Sequence, residues 1–233
     1  KVLQCHPGRL LCDLHPDYLS SRYARSLPQK AIRVQHHHAH ALAVMAEHGL
    51  DEPVLALVLD GTGYGDDGTV FGGELYEVSR RGYQRLASLA SLPLPGGDQA
   101  VLEPWRLGLA LAWQSGADQE REGLQLPASL EAVSAAQRQL IITLLHYMLN
   151  CPLCSFAGRL FDAVSALLGL CLFSQYEGQA AMLLEQQASL ARPLENGVGY
   201  PVLLEKSEGR ERIATRPMTL AVLQDIAAGQ SVP

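Results

Sequence analysis

Four of the eight histidines in this 233-residue chain fall within five consecutive positions, in the run Val34-Gln35-His36-His37-His38-Ala39-His40-Ala41. An imidazole can ligate a metal, move a proton or sit buried as a hydrogen-bonding group, and spacing narrows the choice. If the run is helical, His36 and His40 stand at i and i+4 and project from one face, offering two nitrogens to one metal ion. His37 and His38 then point elsewhere on the helix, where either could contact substrate or orient a ligand from behind. The plainer alternative is a solvated helix start or a single buried histidine with satisfied hydrogen bonds. Four imidazoles in five positions, flanked by apolar residues, favour the metal site.

A third ligand is suggested downstream. Val54-Leu55-Ala56-Leu57-Val58-Leu59 is a short, continuous apolar run that predicts a strand buried on both faces, and it ends on Asp60. The following residues, Gly61 to Gly68, predict a glycine-rich turn, with Thr69 to Val78 as the returning strand. Glycines in such a turn let backbone N–H groups approach an anion closely. Gly61, Thr62 and Gly63 are therefore candidates for contact with a phosphate, beside a carboxylate placed where an open sheet holds a metal-bound nucleotide. A strand-ending Asp commonly does no more than start a turn, so Asp60 gains weight only through the histidines.

The elements that must position these residues alternate between strand and helix. Arg9 to Asp13 predicts a strand, Pro16 to Ser26 a helix, and Lys30 to Gln35 a second strand leading into the histidine helix, which runs through His48. A third strand of the sheet falls near Gln84 to Ser91. Helices are predicted over Pro104 to Gln114, Ser129 to Leu149, Arg159 to Leu168 and Gly178 to Ala191. Polar connections cover Gly116 to Pro127 and Glu195 to Gly209, with a short strand at Pro201 to Leu204. This order indicates an α/β fold.

Composition excludes several classes. A net charge of −6 gives no basic footprint, so direct nucleic-acid binding is not expected. No apolar run approaches membrane-spanning length and no signal peptide opens the chain, so no membrane role is expected. Five cysteines at irregular spacing suit a reducing cytoplasm better than a disulfide framework. Cys151-Pro152-Leu153-Cys154 is a lone C-x-x-C and reads as two ordinary thiols. There is no G-x-x-x-x-G-K motif and no Ser-His-Asp or Cys-His arrangement.

An ordered series of motifs resembles a known family. Cys12-Asp13-Leu14-His15-Pro16, Gln35-His36-His37-His38-Ala39-His40, Asp60-Gly61-Thr62-Gly63-Tyr64-Gly65, Phe71-Gly72-Gly73-Glu74, Leu94-Pro95-Gly96-Gly97-Asp98, Glu103-Pro104-Trp105-Arg106, Gly158-Arg159-Leu160-Phe161-Asp162-Ala163 and Tyr176-Glu177-Gly178 together resemble the carboxy-terminal transferase domain of the HypF hydrogenase maturation carbamoyltransferases. The resemblance runs from about Leu10 to about Glu185. More distantly, the H-x-x-x-H is similar to the tRNA threonylcarbamoyl transferases, which share the actin-like, sugar-kinase-like (RNase H-like) fold. The resemblance implies that two-lobed fold, truncated at both ends. Residues 1–50 would close a first lobe with the histidine helix, and residues 51–233 would form most of a second. The family's later Ser-Gly-Gly nucleotide loop and its last metal-binding Asp have no counterpart before Pro233.

What the resemblance implies for function is specific. Family members make carbamoyl-adenylate from carbamoyl phosphate and ATP in other domains, and this domain passes the carbamoyl group to the carboxy-terminal cysteine of HypE, en route to the cyanide ligands of nickel-iron hydrogenases. His36, His40 and Asp60 would be ligands to zinc or iron, which the donor set does not separate. Gly158, Arg159 and Asp162, at a helix start, could meet ribose or phosphate; the alternative is an Arg159–Asp162 pair. Glu177 and Gly178 would lie near the nucleotide, or form a turn whose Glu faces a helix dipole. Gly96 to Asp98 and Glu103 to Arg106 could shape the acceptor cleft, although Pro104 at a helix start and a packed Trp105 account for much of that pattern. The other domains of the whole protein would be partners. A metal-stabilised nucleotide-binding or scaffold module without chemistry of its own is the alternative function.

Overall fold

The computed structural model describes residues 8–116, 126–191, 199–207 and 209–230. The chain opens with a β-α-β unit in which β1 (Leu11–Asp13) and β2 (Ile32–Val34) pair in parallel, joined through α1 (Leu19–Ser26). Parallel pairing brings the carboxyl ends of both strands to one edge, with Asp13 beside Val34. There β2 runs directly into α2 (His36–Glu47). The helix starts at the histidines because Gln35, extended at φ −68° and ψ 134°, accepts the His38 N–H at 2.8 Å through its side chain and so satisfies one of the otherwise unpaired first-turn donors.

A meander of β3 (Val54–Tyr64), β4 (Val70–Ser79) and β5 (Gly82–Leu89) follows, antiparallel throughout. Here the structure corrects the sequence reading twice. The strand does not stop at Asp60 but continues to Tyr64, and the turn shrinks to Gly65–Thr69, closed by the Gly65 N–H to the Thr69 carbonyl at 2.9 Å. Between Leu59, opposite Gly73, and Gly63, opposite Phe71, three residues of β3 face the single Gly72, so Asp60 sits on a bulge. Nor is β3 buried on both faces. Val58 is 8% exposed, whereas Leu55, Leu57 and Leu59 are 71%, 65% and 59% exposed, because α2 packs on one face and no described element covers these three leucines.

The remaining strands extend the sheet. β6 (Leu92–Pro93) pairs with β7 (Leu153–Cys154), which touches β4 at Val70. On the other side β9 (Arg210–Ala214) runs parallel to β5 and antiparallel to β8 (Leu203–Ser207). A short helix α3 (Gln99–Leu102) precedes α4 (Pro104–Ser115), which is buried nearly all round. The helix expected over Ser129 to Leu149 is instead a 3-10 turn at Ala128–Ala132 followed by α5 (Ala135–Tyr147), because Ser134 leaves the helical path to cap the Gln137 N–H. α6 (Ala157–Leu167) crosses α4 closely at Gly108, where a Cβ would lie 3.2 Å from that of Ala166. The helices α7 (Gln179–Leu190) and α8 (Arg216–Ala227) complete the set. β9 and α8 were not expected. The polar connection predicted near 116–127 falls largely outside the described residues, whereas most of 195–209 is described and holds β8, which starts two residues later than the short strand expected at Pro201 to Leu204.

Two apolar clusters hold these layers. The larger gathers Trp105, Leu107, Leu109, Leu111, Ile141 and Leu145 with neighbours from α6 and α8. The smaller joins Ala41 and Met45 of α2 to Val58, Tyr76 and Val78 of the sheet, and it fixes the histidine helix against β3 and β4.

The C-x-x-C lies in the larger core. Burial pushes the Cys154 thiol up to about 12 and raises that of Cys151, and a thiol that cannot ionise is a poor nucleophile. Brief alkylation at pH 8 should therefore modify half-exposed Cys12 well before Cys151, Cys154 or Cys171, as peptide mass spectrometry would measure. Equal labelling of Cys154 and Cys12 would contradict the packing of β7.

Candidate metal centre

Residues from three elements meet at the carboxyl end of the β1–β2 pair. His36 Nε2 lies 2.9 Å from Asp60 Oδ2 and 3.2 Å from His40 Nε2, and His40 Nε2 lies 3.6 Å from the same carboxylate oxygen. These three residues form the one group of converging metal-type ligand atoms found among the described residues, all within 4.8 Å of one another. The i and i+4 histidines share a face as their spacing requires, and the bulge carries Asp60 to them.

The donor chemistry fits a cation. His36 Nδ1 is 2.6 Å from Asp13 Oδ2 and its Nε2 2.9 Å from Asp60 Oδ2, so the ring stands between two carboxylate acceptors. With the ring proton on Nδ1 toward Asp13, Nε2 would offer a lone pair to a cation shared with Asp60 and His40. Ligand atoms about 2.1 Å from a metal stand about 3.0–3.4 Å apart in octahedral or tetrahedral geometry. The observed separations of 2.9, 3.2 and 3.6 Å bracket that range and do not choose between zinc and iron. A metal held by these three residues would have room for further ligands.

His37 and His38 part company. His37 is wholly buried, with Nε2 3.4 Å from Asp60 Oδ2 and Nδ1 3.5 Å from the Tyr76 hydroxyl and 3.8 Å from Glu74 Oε2. Burial, against the opposing pull of Asp60, lowers its pKa to about 4, so the ring is neutral at physiological pH. His38 does not stand behind the ligands. Its Nε2 lies 3.2 Å from the Ser79 carbonyl and its ring packs on Tyr83, because one further residue turns it about 100° around the helix.

Glycines around the cluster serve close packing. A Cβ on Gly63 would lie 2.2 Å from His37 Nε2, and one on Gly72 2.3 Å from the Asp60 carbonyl oxygen and 2.1 Å from the Phe156 ring. Gly61 and Thr62 fall within the bulge, and the side chain of Thr62 lies outside the described residues.

Two carboxylates were not singled out as site residues from sequence, although both stand in the quoted motifs. Asp13 bridges the His15 N–H at 2.7 Å and the His36 ring. Glu74 is completely buried; it accepts the Gly73 N–H at 2.8 Å and the Ser155 hydroxyl, and pairs with Arg85 at 3.3 Å. Burial raises its pKa even though each of those donors works the other way. Their signal was an acidic residue at a strand end and a carboxylate in an otherwise apolar strand.

The other candidates lie in and around α4, α6 and α7. Arg159 and Asp162, both buried, pair at 3.0 Å within the first turns of α6, and Asp162 also accepts the Ala181 N–H. Their charges answer each other, which is the pairing alternative raised above for a ribose contact. Gly158 lies in the uncapped first turn of α6. Gly178 adopts φ 79° at the N-cap of α7, next to exposed Glu177. Trp105 is buried, and Arg106 turns to Glu103 at 2.5 Å.

Comparison with known proteins gives the fold its relatives. Residues 1–47 match the model of the HypF Kae1-like domain, and residues 56–233 match that of the second subdomain of the carbamoyltransferase Kae1-like domain. The chain is 46% identical over 204 residues to carbamoyltransferase HypF2 of Cupriavidus necator, covering 83% of this chain and 24% of that protein. It is 38% identical over 230 residues to carbamoyltransferase HypF of Synechocystis, covering 93% and 29%. The crystal structure of full-length HypF in the phosphate- and nucleotide-bound form superposes with a TM-score of 0.83 at 34% identity, over 97% of this chain and 28% of that one. The chain thus spans about a quarter of the length of these relatives. The α/β architecture is accordingly that of a Kae1-like domain, consistent with the actin-like fold.

Two outcomes follow from this geometry. His36→Ala and His40→Ala should each abolish stoichiometric zinc or iron in the purified protein, whereas His38→Ala, which faces Ser79, should leave most of it; elemental analysis measures this, and full metal in both of the first two variants contradicts the ligand set. Gly63→Ala should cost about 1–3 kcal/mol in urea unfolding through the clash with His37. Most of that cost should vanish in a His37→Ala background.

Proposed function

This chain belongs to the HypF carbamoyltransferase family, and from that premise we propose that it forms the part of such an enzyme that transfers a carbamoyl group from carbamoyl-adenylate to the carboxy-terminal cysteine of HypE, as a step toward the cyanide ligands of nickel-iron hydrogenases. The observation that carries the reading is the convergence of His36 and His40 of α2 with Asp60 of β3 at the carboxyl end of a parallel strand pair. Ligands of open α/β sheets bind at such strand ends.

In this reading His36, His40 and Asp60 hold a zinc or iron ion. When bound, the ion neutralises phosphate charge on the adenylate and eases departure of AMP. The residues do the rest by placement. Asp60 is aimed by its bulge, and neutral His37 steadies its carboxylate from the buried side. The cysteine thiolate attacks the carbamoyl carbon, a C–S bond forms, the C–O bond to the phosphate breaks, and AMP leaves with the electron pair. A cavity of about 450 Å³ runs from His40 and Asp60 between α2 and β3, past Val44 and Leu57, and supports access for substrate at this point.

Gly61, Thr62 and Gly63 we place near the adenylate phosphates, with Gly158, Arg159, Asp162, Glu177 and Gly178 around the nucleotide. For Arg159 and Asp162 this requires the α6 pair to act as a unit or to part when nucleotide enters. We read residues 1–50 as the end of one lobe and residues 51–233 as most of another. Support comes from the separate β1–β2 sheet and from the connection between Glu47 and Val54. No helix among the described residues is long and apolar enough to cross a membrane. The four described cysteines are free, which suits the reducing cytoplasm we assign to the protein.

Asp60→Ala, in a whole HypF polypeptide carrying this segment, separates activation from transfer. Release of AMP and pyrophosphate from ATP in the presence of carbamoyl phosphate should persist, while labelling of the HypE cysteine from carbamoyl phosphate should fall on the order of 100-fold or more. Equal loss of both would contradict this division of labour.

A further inference from the structure

The three converging ligands do not by themselves explain why His36 presents Nε2 rather than Nδ1. We propose that Asp13 is a positioning residue that holds the proton of His36 on Nδ1 and so dedicates Nε2 to the metal. The proposal rests on the reading of His36, His40 and Asp60 as a metal centre.

Asp13 is itself held. It ends β1, its backbone is registered against Val34 of β2, and its Oδ1 accepts the His15 N–H at 2.7 Å. That leaves Oδ2 facing the His36 ring, 2.6 Å from Nδ1. A carboxylate can only accept there, and Asp60 offers the same kind of acceptor to Nε2, so it is a cation taken up by Nε2 that leaves the ring proton on Nδ1, where the Asp13 contact holds it by a charge-assisted hydrogen bond. The same contact fixes the rotation of the ring, and the far nitrogen arrives 2.9 Å from Asp60 Oδ2 and 3.2 Å from His40 Nε2. His40 lies on the same helix face with its side chain mostly exposed. Of the two helical ligands, His36 is therefore the one aimed by a carboxylate on a separate strand. Carboxylates that bond the outer nitrogen of a ligating histidine contribute about 10–100-fold to metal affinity.

Two measurements test this on the full chain and on Asp13→Asn. The first is ¹⁵N correlation spectroscopy of the histidine rings, without metal and with zinc. In the unchanged chain Nδ1 of His36 should carry a proton in both states, with Nε2 the zinc-bound nitrogen; an unprotonated or zinc-bound Nδ1 overturns the proposal without any variant. In Asp13→Asn, whose amide can donate as well as accept, the His36 ring should lose that fixed pattern. The second is zinc and cobalt(II) affinity by chelator competition, which should weaken 10–100-fold in Asp13→Asn. In a His36→Ala background the Asp13 substitution should add little. Unchanged affinity in Asp13→Asn, or an equal loss in both backgrounds, overturns the proposal. If the unchanged chain binds neither ion yet shows Nδ1 protonated and dependent on Asp13, the metal reading fails and the positioning of the ring stands.

Discussion

One carboxylate oxygen sets the terms for everything around it. Asp60 Oδ2 faces the Nε2 atoms of His36, His37 and His40 at 2.9, 3.4 and 3.6 Å. That convergence requires a helix N-terminus, a strand and a parallel strand pair to be held in register. The bulge in β3 is the device that makes it possible, since a regular strand alternates sides with every residue and would not hold three residues opposite one. Gly72 on the partner strand is the other half of the device, because any side chain there would meet the Asp60 carbonyl and Phe156. The small core of Ala41, Met45, Val58, Tyr76 and Val78 supplies the restoring force by seating α2 on the sheet.

Much of the site was legible because its chemistry sits in local spacing. An i and i+4 pair is on one face of any helix, and Gln35 ahead of the histidines marks where that helix begins. The carboxylate at the end of an apolar run was also visible. What escaped depended on contacts between distant segments. The bulge arises from pairing with β4, which no reading of β3 alone contains, so the glycine-rich stretch was taken for a turn. Asp13 meets His36 across 23 residues of chain, and Glu74 meets Ser155 across 81. β9 and α8 were missed because β9, Arg-Glu-Arg-Ile-Ala, has too few apolar residues to betray a strand that is added parallel to β5. Leu55, Leu57 and Leu59 show the converse failure: apolar sequence predicted burial on a face that no described element covers.

Glycine illustrates how one residue type can answer to more than one demand. The density of glycine between Asp60 and Gly73 suggested a backbone cradle for an anion. In the structure Gly63, Gly65, Gly72 and Gly73 all stand where a Cβ would lie within 2.6 Å of a neighbouring atom, from His37, Phe71, Phe156 and Ser155 respectively among the nearest. Packing alone therefore demands small residues at these positions. A phosphate contact at Gly61 to Gly63 would have to use backbone that the bulge frees from the ladder.

The ion pairs divide the molecule's carboxylates into two kinds. Asp67 and Glu74 pair with Arg85, Glu103 with Arg106 and Asp162 with Arg159, so each has a partner that keeps its charge at any physiological pH. Asp13 and Asp60 face histidine rings instead. An arginine closes a charge account permanently and leaves nothing for a ligand to do. A histidine gives up or takes a proton near physiological pH and can ligate a metal, so a carboxylate facing imidazoles keeps a centre that can respond to a ligand. In the proposed metal centre the cation would therefore sit against imidazoles and a carboxylate rather than compete with an arginine, and the ligand-atom spacing suits an ion of that kind.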